Sequence, residues 1–331
     1  MLINSVYIKE FRGIREMRES ITLGKFNVLI GRNNSGKSAF LEALSLFPIP
    51  FNAYHAPFLD SSRIQLIAQL HSGLESLVYG YSGIAEIKFS INHNEIMYRI
   101  TDHGNIFAFI DGKRLDSQTY LKEIAKILGV KEEEGWLMKI NSMVAFIPND
   151  SNFLKSVREK IVSAWSTIMK SGANVRVVRD LISRVVHDEF TEVYLGANNV
   201  LELRKELPDD KVFWIRVTDI GDGVERLLIS ALYLEVLRPK LVLWDDIEAS
   251  AHPGLIEVLI KWLINKNWQI VISTHSIDVL NLFTKIAPAD TLIWVLRSDE
   301  YDRLNIKQLT IDDVADILES NIDIRRILDQ L

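Results

Sequence analysis

The chain has 331 residues, 48% of them hydrophobic and 25% charged, with a formal net charge of −6 and no cysteine. That length suits one large α/β domain or two modest ones, and the composition is that of a folded chain with a sizeable core. The lack of cysteine excludes disulfides, thiolate zinc sites and a cysteine nucleophile, and the acidic balance confines any nucleic-acid contact to local basic patches. No apolar stretch approaches the ~20 residues that span a bilayer, and the opening MLINSVYIKEFRG lacks a basic-then-apolar leader layout. The expectation is a soluble, cytoplasmic protein without a membrane partner.

In chain order, residues 3–8 and 26–30 read as strands joined through FRGIREMRESITLGK. Between the second strand and a helix-like run at 39–47 stands GRNNSGKS, residues 31–38. The spacing G-x-x-x-x-G-K-S between a strand and a helix is that of a P-loop. Gly31 and Gly36 permit backbone shapes that turn successive N–H groups inward on one anion. The start of the helix adds partial positive charge. Asn33, Asn34, Ser35, Gly36 and Ala39 would line the phosphates. Lys37 would reach the β and γ phosphates, and the Ser38 hydroxyl would ligate Mg²⁺. ATP and Mg²⁺ are therefore the expected cofactors.

Prolines 48, 50 and 57 then break the helix, and residues 62–79 read as helical. AEIKFSI, EIMYRI and NIFAFIDGKRL alternate with turn residues and predict an antiparallel meander at about 84–115. SMVAFIP (142–148) is a further strand, and 151–189 are mostly helical. From about residue 190 strands return, and from 223 helix and strand alternate. The predicted organisation is a single head. Its core comes from 1–47 and 190–331, split by an insertion at 48–189 that carries the meander and a helical lobe.

The second half holds further chemistry. In KLVLWDDIEASAHP (240–253) a short buried strand ends in two acids. A carboxylate at the C-terminal edge of a parallel strand sits where such sheets bind ligands. Asp245 is the candidate to hold Mg²⁺ through its water shell, and Asp246 to orient or deprotonate the attacking water. In QIVISTHS (269–276), His275 follows the next strand. A neutral imidazole there can hydrogen-bond a γ-phosphate oxygen or the water.

Taken together, these segments resemble an ABC-type ATPase head of the branch containing the SMC, RecF and OLD proteins. IKEFRGIREMRESITLGKFNVLIGRNNSGKS is similar to that branch's opening strand, FRGI turn and P-loop. KLVLWDDIEASAHP resembles its Walker B and D-loop, and ISTHS its switch-histidine loop. The resemblance implies a P-loop fold with a mixed central sheet, an antiparallel β subdomain and a helical insertion. It also implies an ATP-dependent homodimer whose two heads sandwich two nucleotides. DIGDGVERLLISALYLEVL occupies the place of the family's signature loop and helix. Gly221 stands in the serine slot, with Gly223 a further candidate nucleotide contact. Arg12, in the FRGI turn, matches a basic residue placed near the nucleotide.

The chain departs from the pattern in three ways. The catalytic glutamate is replaced by Asp246, with Glu248 a second candidate base, which implies slow hydrolysis. No Q-loop glutamine is evident, Asn149 or Asp150 standing in its place. Sustained heptads are missing. The implied function is an ATPase switch coupled to DNA or to a separate nuclease or other effector, in repair, chromosome handling or phage defence. The alternatives are the ATP-binding subunit of an ABC transporter and a nucleotide sensor with negligible turnover. Lys155, Arg158, Lys160, Arg176, Arg179 and Arg184 are the candidate partner surface.

Overall fold

The computed structural model describes residues 1–329 apart from positions 187, 209, 210, 250, 287, 289 and 321. The chain forms two compact units. The first comprises Met1–Pro148, Pro239–Asp246 and Trp268–Leu331, and the second Asn149–Arg238 with Ile247–Asn267. Residues 48–148 of the expected insertion thus belong to the first unit.

The first unit is built on a 13-stranded sheet. Five of its strands form a parallel block, with Val144–Ile147, Leu241–Trp244, Gln269–Thr274, Phe26–Ile30 and Thr291–Ser298 adjacent in that order. Parallel strands covered on both faces require continuous apolar runs. Val144–Ile147, Leu241–Trp244 and Phe26–Ile30 are accordingly buried at every position. The remaining strands pair antiparallel, except that Arg303–Leu309 runs parallel to Ile14–Met17. The meander Ile84–Ile91, Asn94–Thr101, Ile106–Ile110 and Lys113–Leu115 forms at the expected place. It does not stand apart: Ile84–Ile91 pairs with Ser5–Phe11 and extends the same sheet. Its alternation decides which face is core. Ala85, Ile87, Phe89 and Ile91 are buried, while Glu86, Lys88 and Ser90 lie on the opposite face.

The P-loop helix, Lys37–Ser45, is buried at all but one position. Its last residue is held by Arg63, a guanidinium only 4% exposed. Arg63 donates to the carbonyls of Ser45 (3.0 Å), Asn141 (2.6 Å) and Val144 (2.8 Å), and to the Asn141 side chain (3.1 Å). A cation at a helix C-terminus faces the negative end of the helix dipole. One side chain thus ties the P-loop helix to the start of a core strand. The expected helix at 62–79 is shorter, Arg63–Leu70, opened by a capping box of Ser62 and Gln65. Gly73 follows with φ 155°, a backbone shape that ends regular helix, and tight turns carry the chain to residue 81.

The second unit contains the helices Ser151–Ser163, Trp165–Ser171, Asp222–Leu237 and Pro253–Ile264, with a three-stranded antiparallel sheet of Phe190–Leu195, Leu201–Glu206 and Val212–Arg216. Phe153 meets Tyr233 edge-on, their rings 6.1 Å apart, packing the first helix on the third. Among the described residues no helix is long and apolar enough to cross a membrane.

Candidate nucleotide and metal site

The P-loop follows directly on the strand Phe26–Ile30. Gly31 has no room for a side chain: a Cβ there would lie 2.4 Å from the Leu296 carbonyl oxygen and from Ser35 Oγ. Asn34 and Gly36 take left-handed backbone, φ 62° and 89°, which curls the loop before the helix begins. Asn33 and Asn34 are exposed at the rim, whereas Ser35 and Ala39 are buried beneath it. Lys37 is 6% exposed, and its ammonium donates to the carbonyls of Gly31 and Arg32, both at 2.9 Å. The cation is held inside the loop's curve.

The register of the parallel block brings the other expected residues to this edge. Trp244 pairs with Ile272 and Thr274 with Ile30. Asp245 therefore leaves its strand level with Ser273, and Gly31 leaves the next strand level with His275. Asp245 is buried, 7% exposed. Burial is the main reason its carboxyl is pushed up to about 6, with the charges of Asp246 and Glu42 acting in the same sense. Hydrogen bonds from Ser273 and Ser38 oppose the shift. The Ser38 hydroxyl and the Asp245 carboxylate thus meet directly. An oxygen pair of this kind suits a hard cation such as Mg²⁺, which prefers carboxylate, hydroxyl and water ligands.

Asp246, half-buried, has φ 46°, and its carboxylate lies 3.4 Å from Nδ1 of the exposed His275. The His275 carbonyl accepts a bond from Arg325 at 3.1 Å. The P-loop, Asp245, Asp246 and His275 therefore share one end of the sheet.

Other expected residues are placed differently. The Arg12 guanidinium donates to Glu42 at 2.8 Å and to the Ser76 carbonyl at 3.2 Å. Glu42, on the P-loop helix and 2% exposed, also bonds His71 at 2.6 Å. Arg12 is thus engaged by a buried carboxylate that the sequence did not single out. In the second unit, Asp150 caps the helix Ser151–Ser163 by accepting from the Phe153 amide at 2.6 Å, so its carboxylate already has a structural task. Gly221, φ 127°, opens the helix Asp222–Leu237, and Gly223 lies in its first turn. Glu248 is half-buried in the same unit. Of the expected partner surface, Arg158, Arg176 and Arg179 are ion-paired with Glu225, Glu235 and Asp180. Ser273 and Glu42 are the site residues that sequence reasoning missed. Ser273 sits two places before His275 in a quoted motif, but only the register puts it beside Asp245.

Residues 26–281 match the family described as "AAA domain, putative AbiEii toxin, Type IV TA system". The chain belongs to that family, and its fold is that of an ABC-type P-loop ATPase head of the SMC-like branch. It superposes on an Smc head domain from Pyrococcus furiosus, bound to the C-terminal domain of ScpA, with a TM-score of 0.63 at 13% identity. That match covers 97% of this chain and 99% of the other. The SMC head domain from Thermotoga maritima gives a TM-score of 0.55 at 15% identity, covering 93% and 99%. In sequence, the uncharacterized protein MJECL10 of Methanocaldococcus jannaschii is 50% identical over 46 residues, 14% of this chain and 20% of that protein. MJECL11 of the same organism is 30% identical over 89 residues, 24% of this chain and 78% of that protein. The chain thus spans about a fifth of the first relative and over three quarters of the second. The family and the fold support a nucleotide-hydrolysing ATPase.

Proposed function

We propose that this protein binds ATP with Mg²⁺ on the P-loop edge and uses slow hydrolysis to drive a dimerisation switch. The observation that carries this reading is the meeting of Ser38 with Asp245 and of Asp246 with His275 at the end of the strand block that presents Lys37. Lys37 meets the β and γ phosphates, as the only P-loop side chain that is both cationic and buried. Bound Mg²⁺ would be held by Ser38 and Asp245 and would supply charge neutralisation at the phosphates. Asp246 orients or deprotonates water, and His275 donates to the γ-phosphate or the water. Glu248 is the reserve base. Gly221 and Gly223 offer backbone N–H groups at a helix start to a nucleotide held by a second copy.

Dimer closure with ATP and opening after hydrolysis fit a γ-phosphate-dependent switch. The output is a separate protein or DNA. A protein partner is supported by the solved SMC heads bound to ScpA domains. Arg12, fixed on Glu42, serves the nucleotide by bracing the P-loop helix.

The test is ATP binding and steady-state hydrolysis by wild type and Lys37→Ala. Wild type should bind and turn over slowly, and the variant should lose binding at least a hundredfold, since the phosphates lose their buried cation (on the order of 3 kcal/mol). Equal binding by both would refute the P-loop assignment.

A further inference from the structure

The two acids at the strand end carry like charges on adjacent residues, so mutual attraction cannot hold them in place. Asp246 also adopts left-handed backbone, φ 46°, in which a Cβ crowds the following carbonyl oxygen. Something must oppose both tendencies.

Ser273 is fully buried, and its hydroxyl makes two bonds. It donates to Asp245 Oδ1 at 2.5 Å and accepts the Asp246 amide N–H at 2.7 Å. A serine hydroxyl has one proton and two lone pairs, so these roles are compatible. The first bond fixes which way the Asp245 carboxylate turns. The second pins the strained Asp246 backbone and so sets where its carboxylate meets His275. His275 itself follows Ser273 by two residues on the same strand end.

We propose that Ser273 is the positioning residue of this site: a single hydroxyl aligns the metal-side acid, the water-side acid and the histidine strand with one another. This rests on the nucleotide reading above only for its functional consequence. The clamp itself is a property of the chain.

The experiment compares Ser273→Thr with Ser273→Val in the full-length protein. The two side chains have the same shape, so the pair isolates the hydroxyl even where the added methyl strains the packing; Ser273→Ala is run beside them. Three quantities are read: amide hydrogen exchange at Asp246, Mn²⁺ affinity by electron paramagnetic resonance with ATP present, and kcat against KM for ATP. The Val and Ala variants should exchange the Asp246 amide at least tenfold faster than the Thr variant and wild type. They should lose about 10–100-fold in Mn²⁺ affinity and in kcat, as outer-shell changes do, with KM for ATP unchanged. The Thr variant should recover most of each loss. A purely structural serine would lower the melting temperature without splitting kcat from KM. Equal amide exchange in the Thr and Val variants overturns the clamp. Should wild type bind no Mn²⁺ with ATP, the nucleotide reading fails instead, and the exchange result still decides the clamp.

Discussion

Asp245 shows how burial and bonding oppose each other at one carboxyl. Its proton is held up to about 6, so it is protonated in a large fraction of molecules at pH 5 and ionised at pH 7.5. The sign follows from linkage. The folded state keeps the proton over a range where an unfolded aspartate, at 3.8, has lost it. This residue's contribution to stability therefore falls as pH rises from about 4 to about 6. A metal needs the ionised form, so Mg²⁺ affinity in the presence of ATP should rise about tenfold between pH 5 and pH 7. Titration calorimetry at three pH values measures this, and a flat profile would exclude Asp245 as the responsible group. Asp245→Asn should remove the dependence and weaken metal binding, while nucleotide binding without metal persists.

At the scale of elements, the P-loop helix depends on Arg63. Its guanidinium serves the carbonyls of Ser45, Asn141 and Val144 at once. Arg63→Met fills similar space but leaves those acceptors buried without their donor. Each such orphan costs about 1–3 kcal/mol, so the variant should lose roughly 3 kcal/mol or more. Urea denaturation followed by tryptophan fluorescence reads the shift. A loss below about 1 kcal/mol would mean that water or another side chain takes over the carbonyls. The helix Asp222–Leu237 makes a contrast. Its start near residue 223 was legible because its apolar positions and the DIGDG run are local signals. The link from Arg63 to three separate carbonyls was not, since each partner lies far along the chain.

For the whole molecule, the proposed switch predicts that Asp246→Asn keeps the metal site, removes the carboxylate that handles water, and accumulates an ATP-bound dimer. Light scattering after size exclusion, with ATP and Mg²⁺, is the measurement. A monomer under saturating ATP for both wild type and variant would sink the two-head cycle. Coupling to DNA is predicted to be weak. The chain carries a net charge of −6, and Arg158, Arg176 and Arg179 spend their charge on carboxylates of their own unit. Any binding should need the ATP-bound dimer and fall steeply with salt, because each neutralised phosphate releases counterions. Fluorescence anisotropy on duplex and single strands from low to physiological salt tests this. No binding at low salt would leave the protein partner as the output, and Lys155→Glu with Lys160→Glu should then weaken that partner without changing ATP affinity.

The sequence by itself determined the P-loop ATPase class, the branch of the family and the candidates Lys37, Ser38, Asp245, Asp246 and His275. Each of these is written in a short segment where loop, strand end and chemistry are contiguous, so local rules suffice. Only the tertiary structure decided that the meander extends the core sheet, that Glu42 holds Arg12 and His71, and that Ser273 lies between the two acids. Those facts depend on strand register and on contacts between residues up to tens of positions apart. A one-residue slip of the strand Gln269–Thr274 against Leu241–Trp244 would turn Ser273 to the opposite face and undo the clamp without altering a letter of the sequence.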